Sequence, residues 1–154
     1  MIHKMGSKAP DFKIKVDDKE SVTLKDFKGK NLILYFYPKD DTPGCTKEAC
    51  SFRDTYPLFK GINAEILGIS KDSTGKHEKF RSKYNLPFLL ASDEEGVACQ
   101  SYGVWKEKNM YGRKYMGIER STFLIDEKGM LMAEWRKVKV KGHAEEVLEA
   151  AQKL

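Results

Sequence analysis

Apolar positions change their spacing several times along the chain, and each change predicts an element. Residues 12–16 (FKIKV) alternate apolar and polar, the period of a half-buried strand, and the charged run DDKE reads as a turn into SVTL at 21–24, giving an N-terminal β-hairpin. Residues 31–37 (NLILYFY) are near-continuously apolar, as in a strand covered by helices on both faces. A helix is expected over 45–60 (CTKEACSFRDTYPLFK), with Pro57 kinking it or ending its regular part. A buried strand at 64–70 (AEILGIS), a helix at 73–84 (STGKHEKFRSKY) and a strand at 87–93 (PFLLASD) come next. STFLID (121–126) and MLMAEW (130–135) flank the turn EKG, and the tail from His143 has helical spacing at Val147, Leu148 and Ala151. Alternating βα units, then a hairpin and a last helix, predict an α/β sandwich around a mixed sheet.

That order fits a thioredoxin-like fold, a central mixed sheet flanked by helices, in a single domain over residues 1–154. The composition, 40% hydrophobic and 33% charged, is that of a globular domain able to bury a core. No apolar run is long enough to cross a membrane, and MIHKMGSKAPDF lacks the charged-then-apolar layout of a secretory signal, so a cytoplasmic protein with no membrane partner is expected. Three cysteines are too few for a disulfide scaffold, and in a reducing compartment any disulfide among them is transient and catalytic. The net charge of +5 raises nucleic-acid binding, but 28 Lys and Arg lie scattered among 23 acids. The densest cluster, RKVKVKGH at 136–143, alternates with Val as an exposed strand or its flank does. It reads as a solvated face, and no nucleic-acid partner is expected.

Candidate chemistry concentrates in LILYFYPKDDTPGCTKEACSF, residues 32–52. Thr42 suits a helix N-cap, and Pro43 suits the first helical position, where its missing N–H costs nothing. Gly44 leaves room for a small ligand beside the backbone, and Cys45 falls in the first turn, near unpaired N–H groups and the positive end of the helix dipole. Helix N-termini and nearby cations favour the thiolate, the form that attacks, so this position suits a nucleophile. A cysteine serving as a small apolar core residue is disfavoured after so polar and tight a stretch as Thr-Pro-Gly. Metal binding is weaker still, because the C-x₄-C pair has no second Cys/His pair at ligand spacing. On one continuous helix Cys45 and Cys50 would have Cα atoms about 9 Å apart, beyond the roughly 4.4–6.8 Å of a disulfide, so a bond between them requires the first turn to unwind. Alternatively, Cys50 simply packs on the helix.

The segment YFYPKDDTPGCTKEACSFRD resembles the active site of peroxiredoxins, specifically the peroxiredoxin Q or bacterioferritin comigratory protein subfamily. GISKDSTGKHEKFRSKYNLPFLLASD, YGVW, IERSTFLID and VKGHAEEVLEA come in the order that subfamily shows, so nearly the whole chain is covered. The resemblance implies a peroxidase that reduces hydrogen peroxide and organic hydroperoxides without metal, haem or flavin. Cys45 would be the peroxidatic cysteine and become a sulfenic acid. Thr42 would hydrogen-bond the peroxide or thiolate, and Arg120 would stabilise charge shifting across the O–O bond. Pro38 would shape and shield the pocket, and the backbone at Gly44 and Cys45 would line it. Cys50 matches the resolving position of one branch of the subfamily. Cys99 reads first as a structural thiol and competes for that role, as does a thiol from another molecule. The implied reductant is thioredoxin or a glutaredoxin-type protein, and the implied state is a monomer.

The remaining polar residues have plain expectations: His77 as a surface or capping group, His143 as the start of the last helix, Asp40 and Asp41 as loop polar residues, Trp105 and Trp135 as packing. Two other functions fit less well. A dithiol oxidoreductase of thioredoxin type would need C-x-x-C, and a redox-sensing or chaperone-like binding protein would turn peroxide over only incidentally.

Overall fold

The apolar run at 31–37 lies at the centre of the molecule. In the computed structural model, which describes residues 3–154, the chain opens with β1 (Lys13–Lys15), β2 (Ser21–Thr23) and a 3-10 turn at Leu24–Phe27. Then come β3 (Asn31–Phe36), α1 (Pro43–Gly61), β4 (Ala64–Ser70), α2 (Thr74–Tyr84) and β5 (Leu89–Ser92). The short α3 (Val97–Ser101) leads into β6 (Trp105–Met110) and β7 (Arg113–Ile118), and β8 (Ser121–Ile125), β9 (Leu131–Trp135) and α4 (His143–Gln152) close the chain.

Seven strands form one mixed sheet in the order β2-β1-β5-β4-β3-β8-β9. β3 has all six residues buried, pairing in parallel with β4 and antiparallel with β8. Its side chains alternate between two cores, as the pleat requires. Leu32, Leu34 and Phe36 join Phe12, Ile14, Leu24, Cys99 and Tyr102 on one face. Ile33, Tyr35 and Tyr37 join Cys45 and Phe52 of α1, Phe80 of α2 and Val147 of α4 on the other. Burying each large apolar side chain contributes about 1.5–3 kcal/mol, so a strand occupied on both faces fixes its own register. The expected thioredoxin-like arrangement, N-terminal hairpin included, is what the chain adopts.

Two local features differ from the sequence expectation, and Pro57 does not end α1, which runs on to Gly61. The ring lies on the exposed side of the helix, where water can take the Arg53 carbonyl that loses its donor. β6 and β7 form a separate two-stranded ribbon, turned by Tyr111 and Gly112 with φ of 53° and 77°. Left-handed φ at both turn residues matches the right-handed strand twist, although Tyr-Gly lacks the Asn or Asp that ordinarily marks such a turn in a sequence. The cluster from Arg136 does flank a strand, but Arg136 is not a solvated charge. Its guanidinium donates to the carbonyls of Tyr102 and Gly103 at 3.0 and 2.9 Å and lies 5.1 Å from the Phe123 ring centroid.

Candidate active site

α1 begins where the sequence places it, with Thr42 as N-cap and Pro43 as the first helical residue. Thr42 adopts the extended cap conformation, but its hydroxyl donates to the Lys39 carbonyl at 2.9 Å instead of capping the helix. The first turn therefore has no side-chain cap and no acidic residue, and its leading backbone bond is Thr46 N–H to the Thr42 carbonyl at 2.8 Å. Cys45 lies within this turn, 2% exposed, in the core beneath α1.

Arg120, between β7 and β8, reaches across to it. Nη2 donates to Cys45 Sγ at 3.3 Å, and Nη1 donates to Oε1 of Glu48 at 2.7 Å. One planar guanidinium thus bridges a thiol and a carboxylate one helical turn apart on α1. A Cβ on Gly44 would stand 3.2 Å from that Nη2, so the space left by Gly44 is taken by Arg120. Burial opposes the arginine's charge, but Glu48 and Cys45 outweigh it and hold the guanidinium protonated more firmly than usual. Glu48 is buried to 1% exposure, and desolvation pushes its carboxyl up to about 7 against the pull of Arg120. Its Oε2 has no hydrogen-bond partner among the described residues, and neither does the Tyr35 hydroxyl. Burial, then the charge on Glu48, hold that phenol well above its ordinary range.

Of the other expected residues, Pro38 is exposed just beyond β3, and Cys50 is half-buried farther along the unbroken α1. Cys99 lies on α3 in the core on the opposite face of the sheet from Cys45. Its thiol is pushed far up, by desolvation first and Asp93 second, which suits a structural role. His143 does begin α4, but it is buried. Its Nε2 lies 2.8 Å from the Thr122 hydroxyl, and burial lowers the imidazole to about 4.

One expectation is corrected. His77 is 1% exposed and so is neither a surface nor a capping group, and the Asp40 carboxylate, still a loop polar group, lies 2.6 Å from its Nδ1. The cause is periodicity: His77, Phe80 and Tyr84 at i, i+3 and i+7 line the inner face of α2. Lys108 on β6 carries no sequence signal for a role at the site. Partial burial and then Arg120 lower its ammonium, while Cys45 raises it. Asp40, Asp72 and His77 gather donor atoms within 4.8 Å of one another. Those atoms are already hydrogen-bonded among themselves and to Tyr37 and Ser70, so the group offers no open coordination set for a metal.

A thioredoxin-like sheet with a buried cysteine in the first turn of a helix, under an arginine, defines a thiol-based redox protein. Residues 5–134 match the AhpC/TSA family model. Peroxiredoxin Bcp of Bacillus subtilis is 56% identical over 149 residues, covering 97% of this chain and 95% of that protein. A cysteine-to-serine mutant of Xylella fastidiosa PrxQ superposes with a TM-score of 0.93 at 39% identity, covering 99% of this chain and 98% of the other. A ligand-complex structure of the Xanthomonas campestris bacterioferritin comigratory protein, studied for alkyl peroxide reduction, gives a TM-score of 0.87 at 44% identity, covering 92% and 90%. The chain belongs to the AhpC/TSA family, as a peroxiredoxin of the Bcp or Q type, and is a thiol peroxidase.

Proposed function

We propose that Cys45 is the peroxidatic thiol and that the cycle closes through Cys50. The Cys45 thiolate attacks one peroxide oxygen and the O–O bond breaks. The leaving oxygen takes a proton and departs as water or alcohol, and Cys45 is left as a sulfenic acid. The Cys50 thiol then attacks that sulfur, a disulfide forms and water leaves. A dithiol protein of the thioredoxin or glutaredoxin type restores both thiols by exchange. The supporting observation is the 3.3 Å contact of Arg120 Nη2 with Cys45 Sγ, which puts a fixed cation where negative charge resides before attack and moves during it. The Thr42 hydroxyl, whose proton is engaged with Lys39, can still accept a hydrogen bond from the peroxide. Gly44 leaves Arg120 its place, and Pro38 would shape and shield the pocket.

Cys50 is preferred over Cys99 because Cys99 lies across the sheet, whereas Cys50 needs only the uncapped first turn of α1 to open. Three free thiols also suit a reducing, cytoplasmic setting, and no helix among the described residues is long and apolar enough to cross a membrane. We take the working unit to be a monomer acting as one domain.

The test is peptide mass spectrometry on reduced protein given one equivalent of hydrogen peroxide. A Cys45–Cys50 linkage is expected. A Cys45–Cys99 linkage would move resolution to Cys99, and a lasting Cys45 sulfenic acid would make the cycle one-cysteine, completed by an external thiol.

A further inference from the structure

The loop between β3 and α1 is tied to α2 at two places, and the buried tie is the more elaborate. Asp40 Oδ2 lies 2.6 Å from His77 Nδ1, and Asp40 Oδ1 accepts from the Tyr37 hydroxyl at 2.6 Å. His77 Nε2 lies 3.0 Å from the Ala91 carbonyl of β5. Both ring nitrogens therefore face oxygens that accept, so the histidine and aspartate hold protons between them as a tight pair. The Asp40 backbone N–H donates to Asp72 Oδ2 at 2.8 Å, and the Ser70 hydroxyl donates to the same oxygen at 2.7 Å. Two residues from the N-cap, the loop is thus pinned to β4, β5 and α2 together. The outer tie is Asp41, in the left-handed region at φ 57°, whose carboxylate meets Lys83 Nζ and the Tyr84 hydroxyl at 2.8 Å each.

The turn beyond the pin is weak by comparison. Pro43 has no N–H to give, and Thr42 does not cap the turn. Farther on the helix is anchored again, by Ala49 and Phe52, both fully buried. A weak turn between two fixed points is a hinge.

We propose that Asp40 and His77 are positioning residues for the peroxidatic cysteine, a clamp that holds the first turn of α1 wound while Cys45 waits for peroxide. The proposal rests on the Cys45–Cys50 cycle only in naming which step each state serves. The wound turn keeps Cys45 against Arg120 for attack, and the opened turn frees it for Cys50. Loosening the clamp shifts the balance toward the open turn, slowing oxidation and hastening disulfide formation.

Hydrogen exchange on the reduced full-length protein reads the hinge without requiring any disulfide. In His77→Gln and in the milder Tyr37→Phe, amides 46–49 are expected to lose protection at least about tenfold, while those of α1 beyond Phe52 and of β3 keep theirs. Rapid-mixing oxidation by hydrogen peroxide should then slow severalfold, with faster Cys45–Cys50 closure and less sulfinic acid at excess peroxide. Unchanged protection at 46–49, or an equal loss along the whole of α1, would overturn the clamp. Should His77→Gln fail to fold, Tyr37→Phe decides by the same two outcomes. If the unmodified protein forms no Cys45–Cys50 linkage, the resolving role of Cys50 falls, while the exchange result still decides the clamp.

Discussion

Nη2 of Arg120 lies 3.3 Å from Sγ of Cys45, the one cation in hydrogen-bond contact with a thiol among the described residues. Lysine would keep the charge but lose the planar fork that also binds Glu48. Arg120→Lys is expected to lower kcat/KM for hydrogen peroxide about 10²–10³-fold, the usual cost of one preorganised donor at a site of developing charge. Competition kinetics against a reference peroxidase would measure it, and a loss under threefold would remove Arg120 from the reaction.

Cys50 and Cys99 predict opposite phenotypes. Cys50→Ser should leave the first oxidation of Cys45 intact while turnover linked to a thioredoxin-type donor falls at least about tenfold. Cys99→Ser should leave both rates within twofold, because its site is a buried pocket across the sheet. A donor-linked assay on the two variants distinguishes them, and reversed phenotypes would reassign resolution to Cys99.

Glu48 and His143 pull stability in opposite directions with pH. The Glu48 carboxyl, raised to about 7 in the fold from 4.5, contributes stability that is fully present below pH 4.5 and lost as pH rises through 7. The His143 imidazole, lowered to about 4 from 6.5, contributes stability that is present above pH 6.5 and lost as pH falls through 4. Each effect is on the order of 3 kcal/mol at full extent, so they largely cancel between pH 4 and 7. Urea unfolding of Glu48→Gln should therefore show a loss of stability on acidification that the parent hides, and His143→Gln a loss on alkalinisation. Flat profiles in both variants would contradict the assignment.

Gly68 faces Tyr35 across the β3–β4 pair. A Cβ there would meet Leu90 Cδ2 at 2.7 Å and the Tyr35 ring and hydroxyl at 2.9 Å. Gly68→Ala should destabilise the protein by about 1–3 kcal/mol through overpacking. It should also disturb peroxide reactivity, because Tyr35 stacks on Phe52 of α1 with centroids 4.8 Å apart. Thermal denaturation together with the peroxide rate would check both.

The fold was legible where the signals are local. The period-two run at 12–16, the apolar block at 31–37 and the helical tail each declare themselves within a dozen residues. Cys45 was legible for the same reason, since Thr-Pro-Gly-Cys writes a helix start into four positions. Arg120 was not, because it meets Cys45 from 75 positions away, and only the family resemblance pointed to it. Asp40 and His77, 37 positions apart, resemble surface polar residues until the sheet brings α2 alongside the loop. The inner-face spacing of His77 with Phe80 and Tyr84 was the one local hint. The β6–β7 ribbon gave no such hint because its residues are mostly exposed and show no apolar face.

Because the sheet separates two cores, the chain carries its own matched pair of optical probes. Trp135 packs against the core that holds Cys45, and its ring stands 5.9 Å from that of His143. Trp105 packs against the opposite core, with the Lys71 ammonium 4.2 Å from its ring centroid. Opening the first turn of α1 is expected to reach the Trp135 indole through Phe52 and His143, whose ring centroids lie 6.0 Å apart, more than it reaches Trp105. Fluorescence of the unlabelled protein would then carry a signal channel and a reference channel, separable by a single Trp→Phe replacement at either position.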